Sequence, residues 1–270
     1  MMTLWPAAEW LAGYAALGAI SGFTAGLLGV GGGAILMPLL TSLFISQGFE
    51  QPLPMALGTA LTSMILTSAA SSRAHHRHAA VAWPVVAGMA LGIICGASIG
   101  AQLASRINAT YIALFFSFFM LLLSIQLLSG WQPEPDPRPL QKKTLWLSGC
   151  VIGCVSALAA VGGGFLTVMY LNYKNFAIKT AIGTAAAIGL PIALAGAGGY
   201  IISGWSHTQN VPYAAGYVYL PAAFMIALAG MVAAPLGAQL SRRLSARWLT
   251  RLFAAISLLL SIRMVWQTWF

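Results

Sequence analysis

Acidic side chains are almost missing from this chain: 270 residues hold four, Glu9, Glu50, Glu134 and Asp136. All four fall near the ends of apolar stretches or in loops, which excludes a paired-carboxylate active site. It also leaves no acidic side chain at depth to receive a cation. Charged residues of both signs make up 6% of the sequence, against about 25% in a soluble domain, so the chain cannot clothe a soluble fold. Cysteine is scarce as well. Cys95, Cys150 and Cys154 lie within or at the ends of apolar segments without a His or acidic companion. They read as small structural residues and not as a metal site. No HExxH pattern and no Ser/His/Asp set lies in the apolar segments, so no enzyme and no cofactor is expected. Residues 1–10 lack a basic leader pattern, so no cleavable signal peptide is expected either.

What the chain has is apolar length. Hydrophobic residues account for 59% and mean hydropathy is +0.85. Apolar segments run over 8–29, 33–46, 54–72, 80–104, 109–129, 144–161, 164–173, 179–202, 213–240 and 247–268. A helix needs about 20 residues to cross a bilayer. Eight segments meet that length, while 33–46 and 164–173 are too short and read as half-helices. The fold class expected is therefore an all-α, multi-pass integral protein of the cytoplasmic membrane. Tryptophans such as Trp10, Trp83, Trp146, Trp205 and Trp248 sit near segment ends, as interfacial belts do. The formal net charge of +9 comes from Lys and Arg scattered in short inter-helix turns, a membrane pattern that argues against a nucleic-acid partner.

Two glycine runs interrupt this apolar sequence at matching places: Gly29-Val-Gly-Gly-Gly33 and Val161-Gly-Gly-Gly164. Each helical glycine costs about 1 kcal/mol relative to alanine. In a bilayer the backbone groups it frees must find partners inside the protein. Paired interruptions of this kind point to the binding site of a secondary transporter. If each short segment returns the chain to the side from which its long partner came, 11 of the 13 Lys and Arg fall on one face. With straight spans through the glycines that bias disappears, so the positive-inside rule favours re-entrant arms and places both termini outside.

The halves also repeat. Gly100-Ala-Gln-Leu-Ala-Ser-Arg-Ile recurs as Gly237-Ala-Gln-Leu-Ser-Arg-Arg-Leu, running without a gap to Leu121-Leu-Leu-Ser-Ile against Leu258-Leu-Leu-Ser-Ile. Ala56-Leu-Gly-Thr-Ala aligns with Ala181-Ile-Gly-Thr-Ala. Five segments per half invert the second repeat relative to the first, the arrangement used for alternating access. The domains expected are a first membrane repeat over 1–129, a stiff proline-rich cytoplasmic linker over 130–143, and a second repeat over 144–270.

A site without carboxylates suits an anion. Backbone N–H groups at the helix starts near Gly31, Gly32, Gly33 and near Gly162, Gly163, Gly164 would supply donors, with roughly half a positive charge of helix dipole at each start. The alternative is that these glycines only let helices pack closely. Thr59 and Thr184, beside Gly58 and Gly183, could add hydroxyls. Thr24, Thr167, Thr62 and Ser63 are further candidates. The competing role for any of them is a bond to a carbonyl of its own helix. His75, His76 and His78 with Arg73 and Arg77 read as a basic, lipid-facing cytoplasmic turn.

Gly26-Leu-Leu-Gly-Val-Gly-Gly-Gly with Pro38, Ala56-Leu-Gly-Thr-Ala, Gly162-Gly-Gly and Ala181-Ile-Gly-Thr-Ala together resemble the TauE/SafE family of membrane permeases, also described as sulfite exporters. The likeness runs from about residue 12 to 265. It implies a transporter, by expectation an exporter, of small sulfur-containing anions such as sulfite or organosulfonates. An anion channel, or an uptake permease for sulfate- or thiosulfate-like anions, is the alternative. The expected partners are that anion and membrane lipid; a homodimer and proton coupling stay open. The second glycine run lacks the fuller form of the first, which makes the first the stronger site candidate.

Overall fold

The computed structural model describes residues 8–28, 32–129, 141–241 and 246–269. Ten helices account for nearly all of them: α1 Ala8–Leu28, α2 Gly33–Ser46, α3 Pro52–Arg77, α4 Trp83–Arg106, α5 Ala109–Ser129, α6 Lys142–Ala159, α7 Gly164–Tyr173, α8 Ile178–Gly204, α9 Leu220–Ser241 and α10 Ala246–Trp269. Both short segments start and end close to where the apolar pattern put them. Among the described residues six helices (α1, α3, α4, α5, α8 and α9) are long and apolar enough to cross a membrane, where eight spans were expected. The other two, α6 and α10, carry Lys142 and Lys143 or Arg247, Arg251 and Arg263, and lie along α4 and α5 respectively. The outer surface is apolar: Leu91, Ile202 and Val232 are 69%, 73% and 70% exposed. A soluble monomer does not show such a belt; a lipid-facing one requires it.

Two segment boundaries differ from the sequence expectation. The span expected from residue 213 begins instead at Leu220, because Ala214–Ala215 and Val218–Tyr219 form a small antiparallel ladder, β1 and β2. Gly216 turns between them at φ +55°. The histidine group sits in the last turn of α3 with His78 as its C-cap, where basic side chains complement the carbonyl end of the helix dipole.

Hydrogen bonds and glycine contacts set the helix directions. Tyr14, early in α1, donates to Gln47 Oε1 just past α2 at 2.8 Å. Had α1 and α2 run straight on, those residues would lie about 50 Å apart; the chain doubles back. Gly92, Gly96 and Gly100 of α4 face the carbonyls of Trp146, Cys150 and Cys154 on α6, a parallel pair. Ser124 Oγ donates to the Ala254 carbonyl at 2.9 Å and Ser261 Oγ to that of Ser117 at 2.8 Å, an antiparallel one. Following the chain through these contacts puts Arg73, Arg77, Lys142, Lys143, Lys174, Lys179, Arg247 and Arg251 at one end of the bundle. Arg106 and Arg263 lie at the other with Glu9 and Glu50, and Arg263 Nη2 donates to Ser42 Oγ at 3.0 Å. Arg138, Arg242, Arg243 and most of the linker lie outside the described residues.

Small residues hold the parallel seams together. Without a hydrophobic force between helices in lipid, close backbone approach is what packing can offer. A Cβ at Gly96 would strike the Cys150 carbonyl, whereas one at Gly13 in α1 meets nothing within 4 Å. Gly96→Leu should therefore cost at least about 1–3 kcal/mol through overpacking. Gly13→Ala should be neutral or gain up to about 1 kcal/mol of helix propensity. Thermal unfolding of the purified protein in detergent separates the two, and an equally stable Gly96 variant would contradict the seam.

Candidate functional site

The two helix breaks meet inside the bundle. Residues 29–31, including the candidate Gly31, lie outside the described residues. Gly32 caps α2 and its carbonyl accepts the N–H groups of Ile35 and Leu36 at 3.2 and 3.1 Å. Gly33 touches the carbonyl of Ala160 in the second break and the sulfur of Met64 on α3, so closely that no Cβ fits. A narrow cleft beside the first break is lined by Ser21, Gly32, Leu36, Ser63, Met64 and Thr67 among others; its free volume is about 10 Å³. That is about the room one water needs, too little for an oxyanion.

The second break is wound differently. Ala160 caps α6 in the left-handed region at φ 49°, and Gly163 caps α7 at φ +67°, a conformation that suits glycine at no steric cost. Val161 N–H returns to the Ser156 carbonyl at 3.0 Å, and Thr167 N–H to that of Gly163 at 2.9 Å. The N–H groups of Gly164, Phe165 and Leu166 open α7, where a helix has no internal acceptors to offer them. Gly162 lies beside α8, its carbonyl 3.2 Å from where a Cβ on Gly189 would stand. Ser156 Oγ stands 3.5 Å from the place a Cβ on Gly163 would take. Ser156 and Thr167 are fully buried, and neither hydroxyl has a hydrogen-bond partner.

The threonines singled out from sequence have other work. Thr59 Oγ1 accepts the Tyr219 N–H at 3.0 Å, and Thr184 Oγ1 accepts the Ala82 N–H at 2.9 Å. Each ties one half of the chain to the strand or loop that leads into a helix of the other. Gly33 is level with Met64 and Gly163 with Ile192, so Thr59 and Thr184 stand at least a helical turn from the breaks. Gly58 and Gly183 give close passage to the carbonyls of Tyr217 and Ala80. Thr24 donates to the Ile20 and Ser21 carbonyls of its own helix at 2.8 and 3.0 Å, and Thr62 and Ser63 do likewise at 2.8 and 2.7 Å. His76 Nδ1 accepts from Trp83 Nε1 at 3.0 Å. Among the described residues no group of three His, Cys, Asp or Glu is placed to hold a metal ion.

One feature escaped the sequence reading. Above the first break, toward the end of the bundle that carries Glu9, Tyr219 sits among Tyr14, Phe44 and Phe49 with ring centroids 6.1, 5.9 and 5.3 Å away. Beside them Tyr217 donates to Gln51 Oε1 at 2.7 Å. Burial pushes the Tyr217 hydroxyl above its ordinary pKa, which keeps the proton it donates. The cluster plugs that end. Tyr213, Tyr217 and Tyr219 around Gly216 were the available signal, hidden because the run is apolar enough to pass for the start of a helix.

A family model described as "Sulfite exporter TauE/SafE" matches residues 14–264. A "Probable membrane transporter protein" of Haemophilus influenzae is 31% identical over 256 residues, covering 92% of this chain and 95% of that one. Similar proteins with the same description occur in Methanocaldococcus jannaschii, 25% identical over 89% of this chain and 90% of the relative, and in Bacillus subtilis, where YunE is 24% identical over 93% and 96%. No solved structure matches the chain.

The tying role of the two threonines has a measurable signature. Thr59→Val or Thr184→Val leaves a buried N–H of Tyr219 or Ala82 without its acceptor, at a cost of about 1–3 kcal/mol. Each variant should unfold at lower temperature while keeping the wild-type half-saturating substrate concentration. Weakened substrate binding at unchanged stability would assign the hydroxyls to the site instead.

Proposed function

The chain belongs to the TauE/SafE family of membrane transporters, and on that premise we propose that it exports small sulfur-containing anions, such as sulfite or organosulfonates, across the cytoplasmic membrane by alternating access. The observation that carries this reading is the contact of Gly33 with Ala160. One arm reaches that point from each end of the bundle, so each route to the centre ends at a helix start. Helix starts attract anions. Among the described residues the acidic side chains are Glu9 and Glu50, both exposed at one end, so none of these stands near to repel one or to hold a cation.

Two pairs of hydrogen bonds support an inverted repeat, with halves at 1–129 and 144–270 joined by 130–143. The bond from Ser124 to Ala254 answers the bond from Ser261 to Ser117. The bond from Tyr219 to Thr59 answers the bond from Ala82 to Thr184. Both reciprocities follow from one alignment, which matches Ser117 with Ala254, Ser124 with Ser261, Ala82 with Tyr219 and Thr59 with Thr184. Reciprocal contacts of that kind are what a two-fold axis produces. Because α5 and α10 are antiparallel, the axis would lie in the membrane plane, the geometry of carriers that rock about a central site. The basic end faces the cytoplasm on this reading. A potential negative inside then favours anion efflux by about 2.3 kcal/mol per charge per 100 mV.

Purified protein in proteoliposomes, offered sulfite, sulfate, thiosulfate, sulfoacetate and taurine, tests the reading. Saturable flux of a sulfur oxyanion that can run against its own gradient is expected, with taurine the poorest because its ammonium finds no carboxylate. Ohmic anion current would make the protein a channel, and preference for taurine over sulfoacetate would refute the site. Cysteines placed at Glu9 and at Lys142 should label from opposite sides of the membrane.

A further inference from the structure

Many hydroxyls in the helices of this protein bond a carbonyl of their own helix, but among the described residues the buried hydroxyls of Ser156, Thr167, Tyr170, Ser203 and Ser257 have no partner, and two of these stand at the second break. Thr41, Ser42, Thr62, Ser63, Thr67 and Ser117 each donate to a carbonyl three or four residues back in their own helix. A buried membrane hydroxyl can always satisfy itself in this way. Ser156 and Thr167, both 0% exposed, do not. They flank the same structural point. Ser156 lies beside the left-handed Gly163, and Thr167 is the residue whose N–H bonds the Gly163 carbonyl. Helical side chains lean toward the N-terminus over the preceding turn, which carries the Thr167 side chain back over the start of α7. Two unpartnered donors thus converge where three N–H groups of an α-helix also lack acceptors.

The first break is built otherwise. Counting from its capping glycine, Gly32, the positions corresponding to Ser156 and Thr167 are Ala25 and Leu36. The hydroxyls it does have nearby, Ser21, Ser63 and Thr67, are spent on their own helices. Among the described hydroxyls beside the two breaks, the unpartnered ones therefore stand at the second.

We propose that the transported anion is held at the second break, its oxygens accepting from Ser156 Oγ, Thr167 Oγ1 and the N–H groups of Gly164, Phe165 and Leu166. This rests on the transporter reading above and narrows it to one half of the chain. Such a site offers donors alone, so it selects small oxyanions whose exposed atoms all accept, and it discriminates against zwitterions and amines. This structure leaves both hydroxyls unsatisfied, and an anion bound between them satisfies both.

The test uses Ser156→Ala, Thr167→Val and Thr167→Ser, with Ser117→Ala as a control at a hydroxyl that is already paired. Sulfite and sulfate, separately, are titrated against the melting temperature of the purified protein and against flux in proteoliposomes. Ser156→Ala and Thr167→Val should each raise the half-saturating concentration of the preferred anion roughly tenfold or more. Without anion they should melt at the wild-type temperature or above, since each removes an unsatisfied polar group. Thr167→Ser should retain near wild-type affinity, and Ser117→Ala should leave it unchanged. Wild-type affinity in the first two variants, or a lower melting temperature without anion, overturns the proposal while leaving the transporter reading intact if the wild type moves either anion. A wild type that neither binds nor moves any sulfur oxyanion overturns both.

Discussion

Hydrocarbon solvates no peptide group, and the architecture of this protein depends on that constraint. A chain that breaks its helices twice at membrane depth exposes N–H and C=O groups that only protein, ligand or trapped water can satisfy. The breaks survive because each is turned into the bundle and closed by the other: Gly33 against Ala160, Gly32 against the Ser21 carbonyl, Gly162 beside Gly189. Local bonds take up part of the rest, as where Val161 N–H returns to Ser156 and Gly163 N–H to Val161. Beside the start of α7 the hydroxyls of Ser156 and Thr167 stay unsatisfied. On the proposal above, structural necessity and anion affinity have one origin, since an N–H group that no carbonyl reaches is left as a donor.

Around that centre, interactions between the halves decide rigidity. The parallel seams of α4 with α6 and of α1 with α9 are built on glycines that bring backbones together. They make each scaffold from one element of either half. The antiparallel pair α5 and α10 is fastened by the reciprocal serine bonds, and Thr59 and Thr184 fasten the approaches to α9 and α4. Closure of the end near Tyr14 relies on aromatic packing around Tyr219, with hydrogen bonds to Gln47 and Gln51 at its rim. At the opposite end, the positions matching Tyr14 and Tyr219 hold Leu145 and Ala82.

Much of this was legible in the sequence because the bilayer constrains it directly. Apolar length sets what can span, the near absence of carboxylates leaves a cation no acidic side chain at depth, and glycine in apolar sequence marks backbone that must be satisfied elsewhere. Hence 33–46 and 164–173 could be recognised as short arms, and the basic residues sorted to one end, before any contact was known. The start of α9 and the extent of α3 were misjudged: Tyr213–Tyr219 is apolar enough to read as helix, and the polar His75–Arg77 segment is helical because it completes a C-terminal turn.

The partners of individual hydroxyls were decided by tertiary structure alone. Thr59, Thr184, Ser156 and Thr167 are alike in sequence, as small polar residues near glycines in apolar runs. Which of them is spent and which is free depends on whether a backbone N–H from the other half arrives beside it, and no local pattern encodes that arrival. Sequence therefore determined the class and the arms, because these follow from composition and length under one solvent constraint. The fuller glycine run at Gly29–Gly33 pointed to the first break as the stronger site. Of the hydroxyls beside the two breaks, the buried, unpaired ones are Ser156 and Thr167 at the second, where the first has Ala25 and Leu36.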